Sequence, residues 1–185
     1  MADTEFELAL AAADPATALM LLLCRDAALR AATAYSLTSA NIVAGQIHAT
    51  TKNEGSVIVP ISARLGTLLT AAISRSHPGQ YLMLAMGLRP DAFIGNVLRH
   101  RLAALQQRLT LGDWTWHDLR RTAAHRLYER TGDLRIVQSL LGHKAMMTTL
   151  YYLNAQRVVL SATHLSLMAS GQPSSEPDSH TKGAA

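Results

Sequence analysis

The sequence predicts a mainly α-helical fold carrying a small antiparallel β-sheet, an α+β arrangement, and three observations point to it. Alanine and leucine are abundant in a chain that is 49% hydrophobic and only 16% charged, a composition that favours packed helices. Helix-start signals, Asp14-Pro15 and Thr115 with Asp118, stand ahead of long apolar runs. Residues 42–60 change character, with β-branched side chains flanking the polar segment TKNEG. A chain of 185 residues is long enough to bury one full core.

Taken in order, residues 1–13 are acidic and alanine-rich and read as a flexible N-terminus. Asp14 as N-cap and Pro15 in the first turn open a helix through ATALMLLLCRDAALRAATAYSL, and Asp26 offers a second start inside it, carrying Arg30. Thr38 to Asn41 form a polar turn. The segments IVAGQIHAT and SVIVPI read as strands joined by TKNEG, which puts Lys52 at a strand end or on the hairpin loop. Helices resume over Ser62–Ser74 and Asp91–Leu109, separated by a connection bearing glycine and proline.

Thr115 and Asp118 have the spacing of a capping box, with Asp in place of the usual Glu or Gln. That start places His117 in the first turn and Arg120 three residues on along the same face. Leu119, Ala123 and Leu127 lie on a different stripe, which faces the core. Leu134–Leu141 make a short helix ended by Gly142, whose freedom at positive φ presents His143 just past the end. A further helix carries Thr149 and Tyr152. A last amphipathic helix over Ala155–Met168 has Val158, Val159, Ala162, Leu165 and Met168 as its apolar stripe. Residues 169–185 are polar and rich in serine and proline, and read as a disordered tail.

Composition narrows the function classes. Seventeen Lys and Arg against thirteen Asp and Glu leave a net charge of +4, which suits a polyanionic partner and is equally found in plain basic proteins. The single cysteine, Cys24, has no disulfide partner and lies in an apolar run, as expected of an interior thiol in a reducing cytoplasm. The longest apolar run, Ala18 to Cys24, is too short to span a bilayer, and no membrane association is expected. Eight scattered histidines and no cysteine cluster give no metal-ligand spacing, so no metal or cofactor is expected.

The candidate site residues are Arg30, Lys52, His117, Arg120, His143 and Tyr152. Singly, each has an ordinary explanation: a solvated arginine, a turn lysine, a helix-end histidine, a half-buried tyrosine. Together they supply cationic donors around a tyrosine hydroxyl, which is what a protein needs to hold a phosphodiester and attack it without metal. They occur in AALRAATAYSLTSANI, ATTKNEGSVIVPIS, WHDLRRTAAHRL, LLGHKAMMTT and the Tyr151-Tyr152 pair. In this order the segments resemble the tyrosine recombinase (phage integrase) family over about residues 15–168.

The resemblance implies the tyrosine recombinase catalytic-domain fold over residues 14–168. The family normally carries an N-terminal core-binding domain ahead of it, and this sequence is expected to depart from that pattern by having none. It implies a site-specific DNA recombinase or integrase of the bacterial cytoplasm that breaks and rejoins double-stranded DNA through a 3′-phosphotyrosyl intermediate. Tyr152 is the implied nucleophile, selected over Tyr151 by its spacing from His143 and Thr149. Arg30, Arg120 and His143 are implied to bind the phosphate, His117 to accept or relay a proton, and Lys52 to protonate the leaving oxygen. A homotetramer on DNA, joined through the C-terminal helix, is implied as well, although that helix could equally fold back on its own domain. The sequence departs from the family pattern at Ala28, where glycine is usual, and at Thr33, where glutamate is usual. Two alternatives stay open: nicking and rejoining like a type IB topoisomerase, and a catalytically weak or inactive, truncated accessory DNA-binding protein.

Overall fold

A computed structural model describes residues 2–51, 55–89 and 94–154. Helix α1 (Asp3–Ala12) and helix α2 (Pro15–Arg25) are separated at Asp14, whose carboxylate accepts the backbone N–H of Ala16 at 3.1 Å and of Thr17 at 3.2 Å. Helix α2 is apolar on every side, and residues 16–25 are buried without exception. Such a helix belongs inside a core rather than on its surface.

The N-terminal residues expected to be flexible form α1 instead, with Phe6 and Ala9 wholly buried. Its acidic character is the reason. Arg25 at the end of α2 is only 4% exposed, and a buried guanidinium requires a carboxylate partner. Asp3 supplies that partner at 2.5 Å and also pairs with Arg126, while the Arg25 guanidinium stacks 4.4 Å from the Phe6 ring centroid. Glu7 adds an ion pair to Arg64.

Asp26 does not begin a helix; it caps the C-terminus of α2. Its carboxylate is engaged by Arg64, through Nε at 2.8 Å and Nη2 at 2.7 Å, and by the Ser62 hydroxyl at 2.9 Å, so it cannot serve an N-cap. The next helix, α3 (Ala31–Tyr35), starts after Arg30, which stands at its N-cap. The polar turn after α3 contains a 3-10 turn, Ser39–Asn41, closed by reciprocal bonds between Thr38 and Asn41.

Strands β1 (Ile42–Val43), β2 (Gln46–Thr51) and β3 (Gly55–Pro60) make one antiparallel sheet in that order. Ala44 and Gly45, both at positive φ, form the two-residue turn between the first two strands. Ile47 pairs with Val59 and Ala49 with Val57, and these four side chains form the buried face. Lys52 lies outside the described residues.

Helix α4 (Ala63–Arg75) is capped by Ser62. A short helix, α5 (Leu82–Ala85), interrupts the connection expected to be loop, and α6 (Ile94–Leu109) follows. Helices α7 (Trp116–Thr131), α8 (Leu134–Leu141) and α9 (Met146–Asn154) complete the described chain. The architecture is therefore mainly α with a small antiparallel sheet, as the sequence predicts. Residues up to Leu153 form one compact unit. The expected helix over Ala155–Met168 and the tail 169–185 lie outside the described residues. None of the described helices is long and apolar enough to cross a membrane.

Candidate functional site

The start of α7 fixes two of the candidate residues. Thr115 and Asp118 form the expected reciprocal cap: Asp118 Oδ2 accepts the Thr115 N–H at 2.9 Å, and Thr115 Oγ1 accepts the Asp118 N–H at 3.2 Å. His117 is thereby in the first turn, its ring partly covered by Tyr152 although the residue as a whole is exposed, and Arg120 lies one turn on and is 2% exposed. The Arg120 fork donates through Nη1 to the Ala28 carbonyl at 2.7 Å and through Nη2 to the Leu141 carbonyl at 2.8 Å. One side chain thus ties α7 to the α2–α3 turn and to the last residue of α8.

The Ala28 carbonyl is available to Arg120 because the backbone there turns through the left-handed region, at φ 52°. That conformation costs an L-residue about 1–2 kcal/mol. It explains why glycine would be favoured at this position.

Gly142 ends α8 at φ 67°, and the His143 N–H reaches back to the Gln138 carbonyl at 3.2 Å. Gln138 Nε2 donates to the His143 carbonyl at 2.8 Å, closing the turn from the other side. The His143 ring is 5% exposed, and its Nδ1 lies 3.0 Å from the hydroxyl of the fully buried Thr149.

Tyr152 on α9 meets both histidines. Its ring centroid is 5.1 Å from that of His117 and 5.5 Å from that of His143, edge to face in each case. The Arg121 guanidinium stands 6.0 Å from the same ring. The adjacent Tyr151 is 72% exposed and shares none of these contacts. Arg30 is half-buried and lines a cavity of about 460 Å³ together with His117 and Arg120. The structure therefore gathers Arg30, His117, Arg120, His143 and Tyr152, while Lys52 is outside the described residues.

Burial and charge set the protonation states. Burial pushes the Tyr152 hydroxyl above the ordinary tyrosine value, and the positive charges of Arg120, Arg121 and Arg30 act against that rise. The hydroxyl itself is buried, and Arg120 is the group that most favours its ionised form, through its charge and as a hydrogen-bond donor. His117 is held below the ordinary imidazole value, by burial first and then by Arg121 and Arg120. A neutral imidazole beside a protonated phenol can accept a proton.

Arg121 is the group that reading the sequence missed. It pairs with Asp118 at 3.9 Å, as the i,i+3 spacing permits, and adds charge beside Tyr152. Its signal was the second Arg of HDLRRT, four residues after His117 and so on the same helical face.

The α+β scaffold thus carries three arginines, Arg30, Arg99 and Arg120, lining one cavity, and a tyrosine ring packed against two histidines. The chain belongs to the phage integrase family, whose model matches residues 2–157. It is 36% identical over 97 residues to "Tyrosine recombinase XerC" of Methylobacterium sp. (strain 4-46), a match covering 52% of this chain and 30% of that protein. The fold is that of tyrosine recombinase catalytic domains. The XerA recombinase superposes with a TM-score of 0.70 at 20% identity, over 92% of this chain and 61% of the other. The XerH site-specific recombinase bound to its difH substrate, in a pre-cleavage complex, gives 0.69 at 21% identity, over 92% and 53%. The chain spans less than half the length of the curated relatives it matches.

Proposed function

We propose that this chain carries the strand-transfer centre of a site-specific DNA recombinase, with Tyr152 as nucleophile. The observation that carries the reading is the placement of the Tyr152 ring between His117 and His143, beside the buried Arg120. Arg30 and Arg120 present charge to the non-bridging oxygens of a phosphodiester, and His143 adds a donor. Tyr152 Oη attacks phosphorus as its proton passes to neutral His117. The bond from phosphorus to the 5′ oxygen breaks, and Lys52 protonates the departing oxygen, leaving a 3′-phosphotyrosyl link and a free 5′ hydroxyl. A 5′ hydroxyl from another strand then attacks that link and releases Tyr152. The phosphotyrosyl bond conserves the energy of the one broken, so no nucleotide hydrolysis is needed.

The substrate is double-stranded DNA, and its location places the reaction in the cytoplasm. Joining two sites requires several protomers, for which the apolar stripe over 155–168 is the proposed contact, giving a tetramer on DNA. The catalytic unit on this reading runs to about residue 168. The retention of every required residue type speaks against an inactive accessory protein. The test is exchange of end-labelled arms between two duplexes enriched by this protein from a randomised pool. Hybrid products are expected. Relaxation of supercoiled plasmid without hybrids would instead indicate a topoisomerase-like activity.

A further inference from the structure

The cavity lined by Arg30, at about 460 Å³, is larger than one phosphate, and α6 forms part of its wall. Gly95, Arg99, Ala103 and Gln106 line it at helical spacing, together with Arg30, His117 and Arg120. Arg99 is exposed and, among the described residues, makes no ion pair. Asp113 is the sole carboxylate among the described residues that line it.

This wall is fixed relative to the start of α7. The Trp116 indole donates to the carbonyl of Leu98, next to Arg99, at 3.1 Å. Buried Gln106 donates from Nε2 to the Trp114 carbonyl at 2.7 Å. Arg99 thus sits between two bonds that tie α6 to the segment carrying His117.

We infer that Arg99 binds a second phosphate of the cleaved strand, next to the one attacked by Tyr152, and so fixes the strand at two points. This rests on the strand-transfer reading given above. Arg99 touches no reacting bond; its role is to position the strand. A phosphate contact of this kind carries no sequence information and fixes register.

The test uses the whole chain and a duplex that it enriches from a randomised pool. The logarithm of binding affinity is measured against that of salt concentration for wild type, Arg99→Gln and Arg99→Lys. Loss of one phosphate contact lowers the magnitude of the slope by about 0.9, so Arg99→Gln should show that drop and Arg99→Lys should not. A single neutral methylphosphonate beside the cleavage position should weaken wild type and leave Arg99→Gln unaffected. An unchanged slope, with equal sensitivity to methylphosphonate in wild type and Arg99→Gln, overturns the inference. Melting curves check that the exposed substitutions leave the fold intact. Failure of the wild type to form a covalent adduct with the same duplex contradicts strand transfer and leaves the phosphate contact to be judged by the slope alone.

Discussion

The rings of His117 and Tyr152 meet edge to face with centroids 5.1 Å apart, although the two residues lie on different helices. An imidazole held below its ordinary pKa is thereby placed beside the phenol that the proposed reaction uses.

The protonation state of His117 predicts a pH profile. Its pKa is lowered, by burial first and then by Arg121 and Arg120, so the neutral, accepting form prevails at pH 7 and is lost only as pH falls through the depressed value. Single-turnover DNA cleavage should be level from pH 7 to 8 and begin to decline only at pH below the ordinary imidazole value of about 6.5, as the depressed value is approached. His117→Ala should remove that acid limb and slow cleavage by about a hundredfold or more. A His117-dependent rise in rate between pH 7 and 8 would sink the assignment.

Arg120 joins three parts of the fold through two buried carbonyls. Arg120→Lys keeps the charge but loses the planar fork, and one ammonium cannot satisfy acceptors on Ala28 and Leu141 as the fork does. The expected cost is about 2 kcal/mol, because an unsatisfied buried acceptor costs about 1–3 kcal/mol. Urea denaturation measures it, and an unchanged midpoint would show that these bonds contribute nothing.

Ala28 holds a backbone conformation suited to glycine. Relief of about 1–2 kcal/mol of left-handed strain should offset the lost methyl contact and the freer unfolded chain in Ala28→Gly, leaving stability within about 0.5 kcal/mol of wild type. The same exchange at Ala34, buried in the helical α3, has no strain to relieve and should cost about 1 kcal/mol or more. Equal losses at both positions would remove the strain argument.

Thr149 is wholly buried with its hydroxyl 3.0 Å from His143 Nδ1. Thr149→Val removes that bond at nearly constant volume. Cleavage at saturating protein should fall about tenfold, the equivalent of one hydrogen bond of about 1.4 kcal/mol, with DNA affinity unchanged. A variant that loses affinity but cleaves normally would place Thr149 in binding instead.

Much of this organisation is legible in the sequence where a local signal decides the structure. Asp14-Pro15 caps α2, Thr115 with Asp118 caps α7, and Gly142 ends α8, each through bonds within a few residues. Arg30, His117, Arg120, His143 and Tyr152 stand in short, distinctive segments of the sequence, and the described residues bring these five together; Lys52 lies outside them. The rest depends on distant partners. Helix α1 forms because Asp3 and Glu7 meet Arg25, Arg126 and Arg64, all remote in sequence. Asp26 resembles a helix start until Arg64 and Ser62 engage it. That Arg120 serves two carbonyls while Arg121 pairs with Asp118 follows from how α7 packs, which no spacing rule specifies.

The most direct measurement is covalent trapping. The protein is incubated with the duplex that it enriches from a randomised pool and quenched with SDS, with Tyr152→Phe and Tyr151→Phe treated alongside. Wild type and Tyr151→Phe should form a protein–DNA adduct, and Tyr152→Phe should form none. An adduct that persists in Tyr152→Phe and disappears in Tyr151→Phe would contradict the assignment, because the exposed tyrosine would then be the one that attacks.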